Sequence, residues 1–183
     1  VDPDLALIVT EKVARALQAV HVQGIIHRDI KPGNIMISNA GQVKLLDLGL
    51  AQVLQEGRQS AERSAVVGTP AYMSPEQAQD AGCDQRSDIY SLGCTLVHLL
   101  LGRPPYTGRN ALEVISGHLN NPLPDLKKER PELPAVFGEL VQGMLAKNPE
   151  WRFQTVGECL DVIARARSAT PEAPASAPAA RPA

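Results

Sequence analysis

The stretch His27-Arg28-Asp29-Ile30-Lys31-Pro32-Gly33-Asn34 decides how this chain is read. It sets a carboxylate, an ammonium group and a carboxamide inside one short loop punctuated by proline and glycine. Upstream, Val9, Val13, Leu17 and Val20 recur at helical spacing, which predicts an amphipathic helix over roughly residues 4–22 that stops at Gly24. Downstream, Ile35-Met36-Ile37 and Val43-Lys44-Leu45-Leu46 read as two short strands, and Asn39-Ala40-Gly41 supplies the turn chemistry between them. The loop therefore sits between a helix and a hairpin.

Beyond the hairpin, residues 50–69 are polar and aperiodic, which predicts a long loop of the kind that usually carries function. Ser74-Pro75-Glu76-Gln77 marks a helix start: a capping serine, proline at the first position, and Gln77 three residues after the cap. Residues 88–101 are apolar nearly all round, the signature of a helix buried in the middle of a domain, and Gly102 with Pro104-Pro105 ends it. Shorter helices are expected over 110–120, 134–146 and 155–168. The sixteen residues Ser168 to Ala183 hold four prolines and seven alanines, too little apolar surface for a core, and read as a flexible tail or linker. The expected fold class is α+β, mainly α-helical, with one domain over 1–167 and the tail over 168–183.

Composition narrows the function classes. The chain has 183 residues, enough for one domain with a real core. A net charge of -2 gives no reason to expect nucleic acid or an anionic membrane as partner. No apolar run reaches the ~20 residues that span a bilayer, so this segment is expected to make no membrane contact and to be cytoplasmic. The chain opens Val1-Asp2-Pro3-Asp4, with no signal peptide and no methionine, which points to a fragment. Cys83, Cys94 and Cys159 are odd in number and none lies in a C-x-x-C pair, so buried reduced thiols are expected rather than disulfides or structural zinc.

The loop's residue types suit phosphoryl transfer, which needs a carboxylate to orient a hydroxyl, a cation near the phosphate and hard oxygen ligands for Mg²⁺. The loop also has companions. Asp47-Leu48-Gly49 follows Asn34 by thirteen residues; Gly68-Thr69-Pro70-Ala71-Tyr72-Met73-Ser74-Pro75-Glu76 and Ser87-Asp88-Ile89-Tyr90-Ser91-Leu92-Gly93 come next; Arg152 lies in Asn148-Pro149-Glu150-Trp151-Arg152-Phe153. In order, these resemble the H-R-D-x-x-x-x-N catalytic loop, the D-F-G motif (leucine replacing phenylalanine), the segment ending in A-P-E, the start of the central large-lobe helix and a late arginine of protein kinases. Met73-Ser74-Pro75-Glu76-Gln77 and Gly102-Arg103-Pro104-Pro105-Tyr106-Thr107-Gly108 are similar to bacterial serine/threonine kinases. The resemblance covers residues 1–165.

That resemblance implies roles. Asp29 would accept or orient the proton of a substrate hydroxyl, and Lys31 would neutralise charge on the transferring phosphate. Asn34 and Asp47 would hold Mg²⁺, and Met36 would floor the adenine of ATP, although a strand methionine is also often plain core. Glu76 and Arg152 would form a buried ion pair anchoring the long loop. Asp88 would aim its carboxylate at backbone amides of the catalytic loop; as a residue near a helix start, it could instead be an N-cap. Arg28 would pair with a phosphate on the long loop, where Ser60 and Ser64 are the available acceptors. Lys31-Pro32 and Thr69 favour serine/threonine acceptors on protein substrates. His27 is assigned to packing and backbone hydrogen bonding, and His21, His98 and His118 to structural or surface positions.

The chain contains no G-x-G-x-x-G and no V-A-I-K-like stretch, and Lys12 alone precedes Lys31. It is therefore read as a kinase large lobe whose partner is a small lobe elsewhere in the same protein, and on its own it is expected to bind ATP very weakly. Two other classes compete. A silent half-kinase or pseudokinase scaffold is opposed by the survival of Asp29, Asn34 and Asp47. A small-molecule phosphotransferase of the aminoglycoside-kinase type is opposed by the segment 68–76 and by Arg28.

Overall fold

The first helix, α1 (Pro3–His21), starts where Asp2 accepts hydrogen bonds from the Asp4 and Leu5 amides at 2.9 and 3.2 Å and Pro3 presets the first turn. It buries Leu7, Val9, Val13, Ala14 and Leu17, and it ends as the chain turns through Gly24 at φ +74°. Val20 is only partly buried at the edge of that stripe. These observations come from a computed structural model, which describes residues 1–38, 40–46 and 70–169. The expected loop over 50–69 and the tail from Thr170 onward lie outside the described residues.

After α1 the chain runs through the loop to a 3-10 turn (Pro32–Asn34) and the hairpin strands β1 (Ile35–Ile37) and β2 (Val43–Leu45). The strands pair antiparallel with Ile35 opposite Leu45 and Ile37 opposite Val43. Gly41 at φ +72° closes the turn, with the Ser38 amide donating to the Gln42 carbonyl at 2.9 Å. A further 3-10 turn (Pro70–Tyr72) leads to α2 (Pro75–Ala78). There Ser74 and Gln77 form the reciprocal capping box that the sequence predicts.

The central helix α3 (Gln85–Leu101) begins three residues earlier than its apolar run, because Asp84 is the N-cap and accepts from the Arg86 amide at 2.8 Å. Asp88 is thus not the cap. Burial around α3 is nearly complete, with Ile89, Tyr90, Leu92, Cys94, Leu96 and Val97 all in the core. Gly102, at φ +73°, terminates it. The remaining helices are α4 (Ala111–Asn120), α5 (Leu126–Glu129), α6 (Ala135–Leu145) and α7 (Val156–Ala169). α5 is a single turn for which the sequence carries no periodic signal.

α1 packs against α3 and α7, α6 lies against α3 and α7, and β2 rests on α1. The approach of α3 to α6 is close: a Cβ on Gly93 would sit 2.7 Å from the Met144 Cβ. Among the described residues the only sheet is the two-stranded hairpin, so the fold is α+β and mainly helical. The helical platform fixes two things: the end of α1, from which the loop departs, and the N-terminal turns of α3, onto which the loop folds.

Candidate active site

The loop is held from beneath by one carboxylate. Asp88, fully buried in the first turn of α3, accepts the His27 amide on Oδ2 at 2.8 Å and the Arg28 amide on Oδ1 at 2.7 Å. Arg28 takes a left-handed φ of +67°. That backbone state costs a non-glycine residue about 1–3 kcal/mol, so it persists only where the surroundings dictate it. Here two charge-assisted amide bonds dictate it, aided by the Gln77 amide Nε2, which donates to the Arg28 carbonyl at 3.1 Å. Gln77, the third residue of α2 and a member of its capping box, thus also pins the loop.

His27 is buried and fixes the next step of the chain. Its Nε2 meets the Leu46 carbonyl at 2.9 Å and its Nδ1 receives the Asp29 amide at 3.3 Å. The two contacts select one tautomer, with the proton on Nε2. The loop and the end of β2 are thereby tied together through a single ring.

Above this base three predicted residues meet. The Asn34 Nδ2 donates to the Asp29 backbone carbonyl and to Asp29 Oδ2, both at 2.8 Å. Lys31 Nζ reaches the same Oδ2 at 2.8 Å. Flipping the Asn34 amide would set oxygen against two oxygens, so its orientation is determined. Its Oδ1 then faces away from Asp29, a neutral hard oxygen of the type Mg²⁺ accepts. Asp29 Oδ2 is occupied twice, whereas among the described residues no hydrogen bond to Oδ1 is present. The Asp29–Lys31 pair is partly exposed.

Met36 lies on β1, 52% exposed and opposite Lys44 across the hairpin. Its side chain lies outside the core of the described residues. Asp47 and Thr69 lie outside the described residues, as do Ser60 and Ser64.

Glu76 and Arg152, 76 residues apart, form a buried bidentate pair with both oxygen–nitrogen distances at 2.7 Å. Arg152 also donates to the carbonyls of Arg86, Ala146 and Lys147, and its guanidinium lies 4.8 Å from the Tyr90 ring centroid. Burial pushes the Glu76 carboxyl up, but hydrogen bonds and charge from Arg152, with the Ser87 hydroxyl, outweigh it and hold the group below the usual carboxylate range. The pair locks α2 onto the helical platform.

Two further residues reach the loop from far away in the sequence. His21, assigned to a structural or surface position, sits on Asp88 Oδ2 at 2.7 Å. Gln77, expected as the residue three after the Ser74 cap, also donates to the loop. Neither has a local signal, because their partners lie 67 and 49 residues away.

The protein kinase domain family matches residues 2–162. The chain belongs to the protein kinase family. "Serine/threonine-protein kinase PknB" of Mycobacterium tuberculosis is 42% identical over 175 residues, which covers 94% of this chain and 28% of that protein. "Probable serine/threonine-protein kinase PknB" of Bifidobacterium longum is 43% identical over 147 residues, covering 80% of this chain and 21% of that protein. "Serine/threonine-protein kinase PknA" of M. tuberculosis is 38% identical over 185 residues, 97% of this chain and 42% of that protein. The chain thus spans less than half the length of these curated relatives. Kinases of this family use ATP and Mg²⁺. No described helix is long and apolar enough to cross a membrane.

Proposed function

We propose that this chain is the catalytic-loop half of a kinase domain that transfers phosphate from ATP to serine or threonine hydroxyls of proteins. One observation carries the reading: Asp29, Lys31 and Asn34 meet within hydrogen-bond distance on a loop whose backbone is fixed by a buried carboxylate. Such preorganisation is what phosphoryl transfer asks of a protein, since most of the gain comes from positioning and electrostatics.

Asp29 is the group that orients the acceptor hydroxyl. Lys31 and Asn34 bind its Oδ2 and so present Oδ1 to an incoming hydroxyl proton. Lys31 keeps a positive charge beside the path of the transferring phosphate. Asn34, through its free carbonyl oxygen, and Asp47 are the residues that would hold Mg²⁺, and Met36 is the surface for the adenine. Bound Mg²⁺ supplies charge neutralisation at the nucleotide phosphates. Arg28, on the loop itself, is the residue that would pair with a phosphate on the long loop, Thr69 belongs to the segment that receives the substrate, and Glu76, Asp88 and Arg152 hold that segment and the loop to the platform. The other ATP-contacting half, a small lobe of the same protein, is the expected partner.

The test is phosphate transfer by the complete gene product from radiolabelled ATP to a protein acceptor in the presence of Mg²⁺, followed by phosphoamino-acid analysis. Label on serine or threonine is the expected result. Label on tyrosine alone would overturn the serine/threonine assignment, and no Mg²⁺-dependent label on any protein acceptor would overturn the reading.

A further inference from the structure

We infer that the groove between α1 and β2 is a docking surface for an acidic segment of a protein substrate. The inference rests on the phosphotransfer reading above and adds to it a chemical feature of the substrate. The groove is a concavity of about 310 Å³ lined by Lys12 and Arg15 on α1 and by Gln42, Val43 and Lys44 on the hairpin. Lys12 and Arg15 are three residues apart and share one helix face. Lys44 belongs to the strand that packs against that helix. Cations therefore stand on both banks.

The charge in this groove is not neutralised from within. Arg15 pairs with Glu11 at 2.9 Å, and Arg167 of α7 pairs with the same carboxylate at 2.5 Å. Glu11 is thus shared by two arginines. Lys12 and Lys44 are exposed, and among the described residues neither has an ion-pair partner. The chain as a whole carries a net charge of -2, so the positive excess is local. A cleft lined by charge of one sign focuses the field and draws a ligand of the opposite sign. Like charges across a groove also repel, and an anionic occupant offsets that repulsion.

The floor selects the kind of anion. Val43 is half-buried, and its partner across the hairpin, Ile37, is 49% exposed. An extended run of Asp and Glu carrying one aliphatic side chain matches both the banks and the floor. A flat bilayer does not enter a concavity. Nucleic acid affinity grows with the number of phosphates met and with rings to stack on bases, and the groove has three cations and no aromatic residue.

The position ties the groove to the chemistry. Lys44 stands opposite Met36, two residues beyond Asn34. At about 3.3 Å per strand residue, the groove begins on the order of 10 Å from the catalytic loop. A substrate held there keeps its hydroxyl near Asp29 at raised local concentration, which lowers KM and leaves the chemical step alone.

The probe is a short fluorescein-labelled peptide of Asp and Glu around one Leu; its control replaces every acid by Asn or Gln. In anisotropy measurements on the complete gene product, the acidic peptide should bind at least about tenfold tighter than the control. Lys12→Glu/Lys44→Glu should weaken it by at least about tenfold, and Lys12→Gln/Lys44→Gln by several fold. Lys127→Glu/Lys128→Glu, which reverses two exposed lysines on α5, should change it by less than about twofold. Equal affinity for the two peptides, or equal loss in the two reversed variants, would overturn the inference. So would tighter binding of an oligothymidylate or of phosphatidylglycerol vesicles through Lys12 and Lys44. Should Lys12→Glu/Lys44→Glu fail to fold, unchanged binding in Lys12→Gln/Lys44→Gln is the contrary result. For the substrate role, a threonine acceptor peptide joined by a Gly-Ser linker to the acidic segment should show KM at least about fivefold below that of the same acceptor joined to the neutral segment, with kcat within about twofold. Equal KM for the two acceptors would overturn that role. Binding needs no catalysis, so the two claims separate. Asp29→Asn should keep the acidic peptide and lose transfer. A complete gene product that binds the peptide through these lysines but transfers no phosphate would sink the phosphotransfer reading, whereas transfer with no preference for the acidic segment would sink the groove alone.

Discussion

Replacing Arg152 by methionine should be among the most damaging single changes outside the catalytic loop. The guanidinium makes two 2.7 Å bonds to Glu76 and further bonds to the Arg86, Ala146 and Lys147 carbonyls at 3.1, 2.6 and 3.0 Å. Methionine fills much of the volume but donates nothing. Glu76 would keep Ser87 Oγ as its side-chain donor, at 2.7 Å, and would otherwise be a stranded buried anion. Breaking one side of such a pair costs about 3–5 kcal/mol. At about 2–4 °C per kcal/mol for a chain of this size, the melting temperature should fall by between about 6 and 20 °C.

The pH dependence gives the reasoning a sharper edge. In the native protein the Glu76 carboxyl lies below its ordinary value of 4.5, so its contribution is complete above that value and is lost as the pH falls through the depressed one. In Arg152→Met burial acts without the cation, the carboxyl moves above 4.5, and acid relieves the penalty by protonating it. The gap between wild type and variant should therefore narrow on acidification from pH 7 toward pH 4. Urea unfolding followed by far-ultraviolet circular dichroism at both pH values measures it. A gap under about 1 kcal/mol at pH 7, or one that fails to narrow in acid, would refute the argument. Adding Glu76→Gln to Arg152→Met should restore part of the loss, because the stranded charge is then gone.

Three further outcomes are expected. Gly143→Ala should destabilise the fold by about 1–3 kcal/mol in chemical denaturation, since the new Cβ would lie 2.3 Å from the Phe153 ring. Burial, assisted by the Lys147 ammonium, pushes His118 down to about 4 from an ordinary value of 6.5, so the unfolded chain binds the extra proton first; stability should be complete above about pH 6.5, fall by up to about 3 kcal/mol as the pH drops to about 4, and lose this slope in His118→Gln. The 183-residue chain alone should bind Mg²⁺·ATP more weakly than micromolar by calorimetry, because the Gly-rich loop and strand lysine that clamp the phosphates are not in its sequence.

The legible and the illegible parts of this molecule divide by sequence distance. α1 follows from apolar spacing, the hairpin from two short strand-like runs around Asn39-Ala40-Gly41, and α2 from its capping box, all signals within a few residues. The start of α3 was misplaced because Asp84 and Gln85 are polar: the cap is announced by an acid and not by the apolar run that follows. α5 was missed because Leu126–Glu129 is one turn set among prolines, too short for any periodicity. Within the site, Asp29, Lys31 and Asn34 are named by the resemblance of their loop to the kinase catalytic loop, and their mutual contacts span five residues or fewer. His21 and Gln77 act across 67 and 49 residues, and no local pattern encodes such meetings. Only the packing of α1 and α2 against α3 brings them to the loop.

The most direct measurement is the turnover of the complete gene product carrying Asp29→Asn, with nucleotide binding measured alongside. Asparagine preserves the shape and the place for the Asn34 contact at the backbone carbonyl but removes the charge that orients the acceptor. Phosphate transfer should drop by at least about a hundredfold while affinity for Mg²⁺·ATP stays within about threefold. Transfer at a wild-type rate would contradict the assignment of Asp29 and, with it, the account of the loop as a phosphotransfer site.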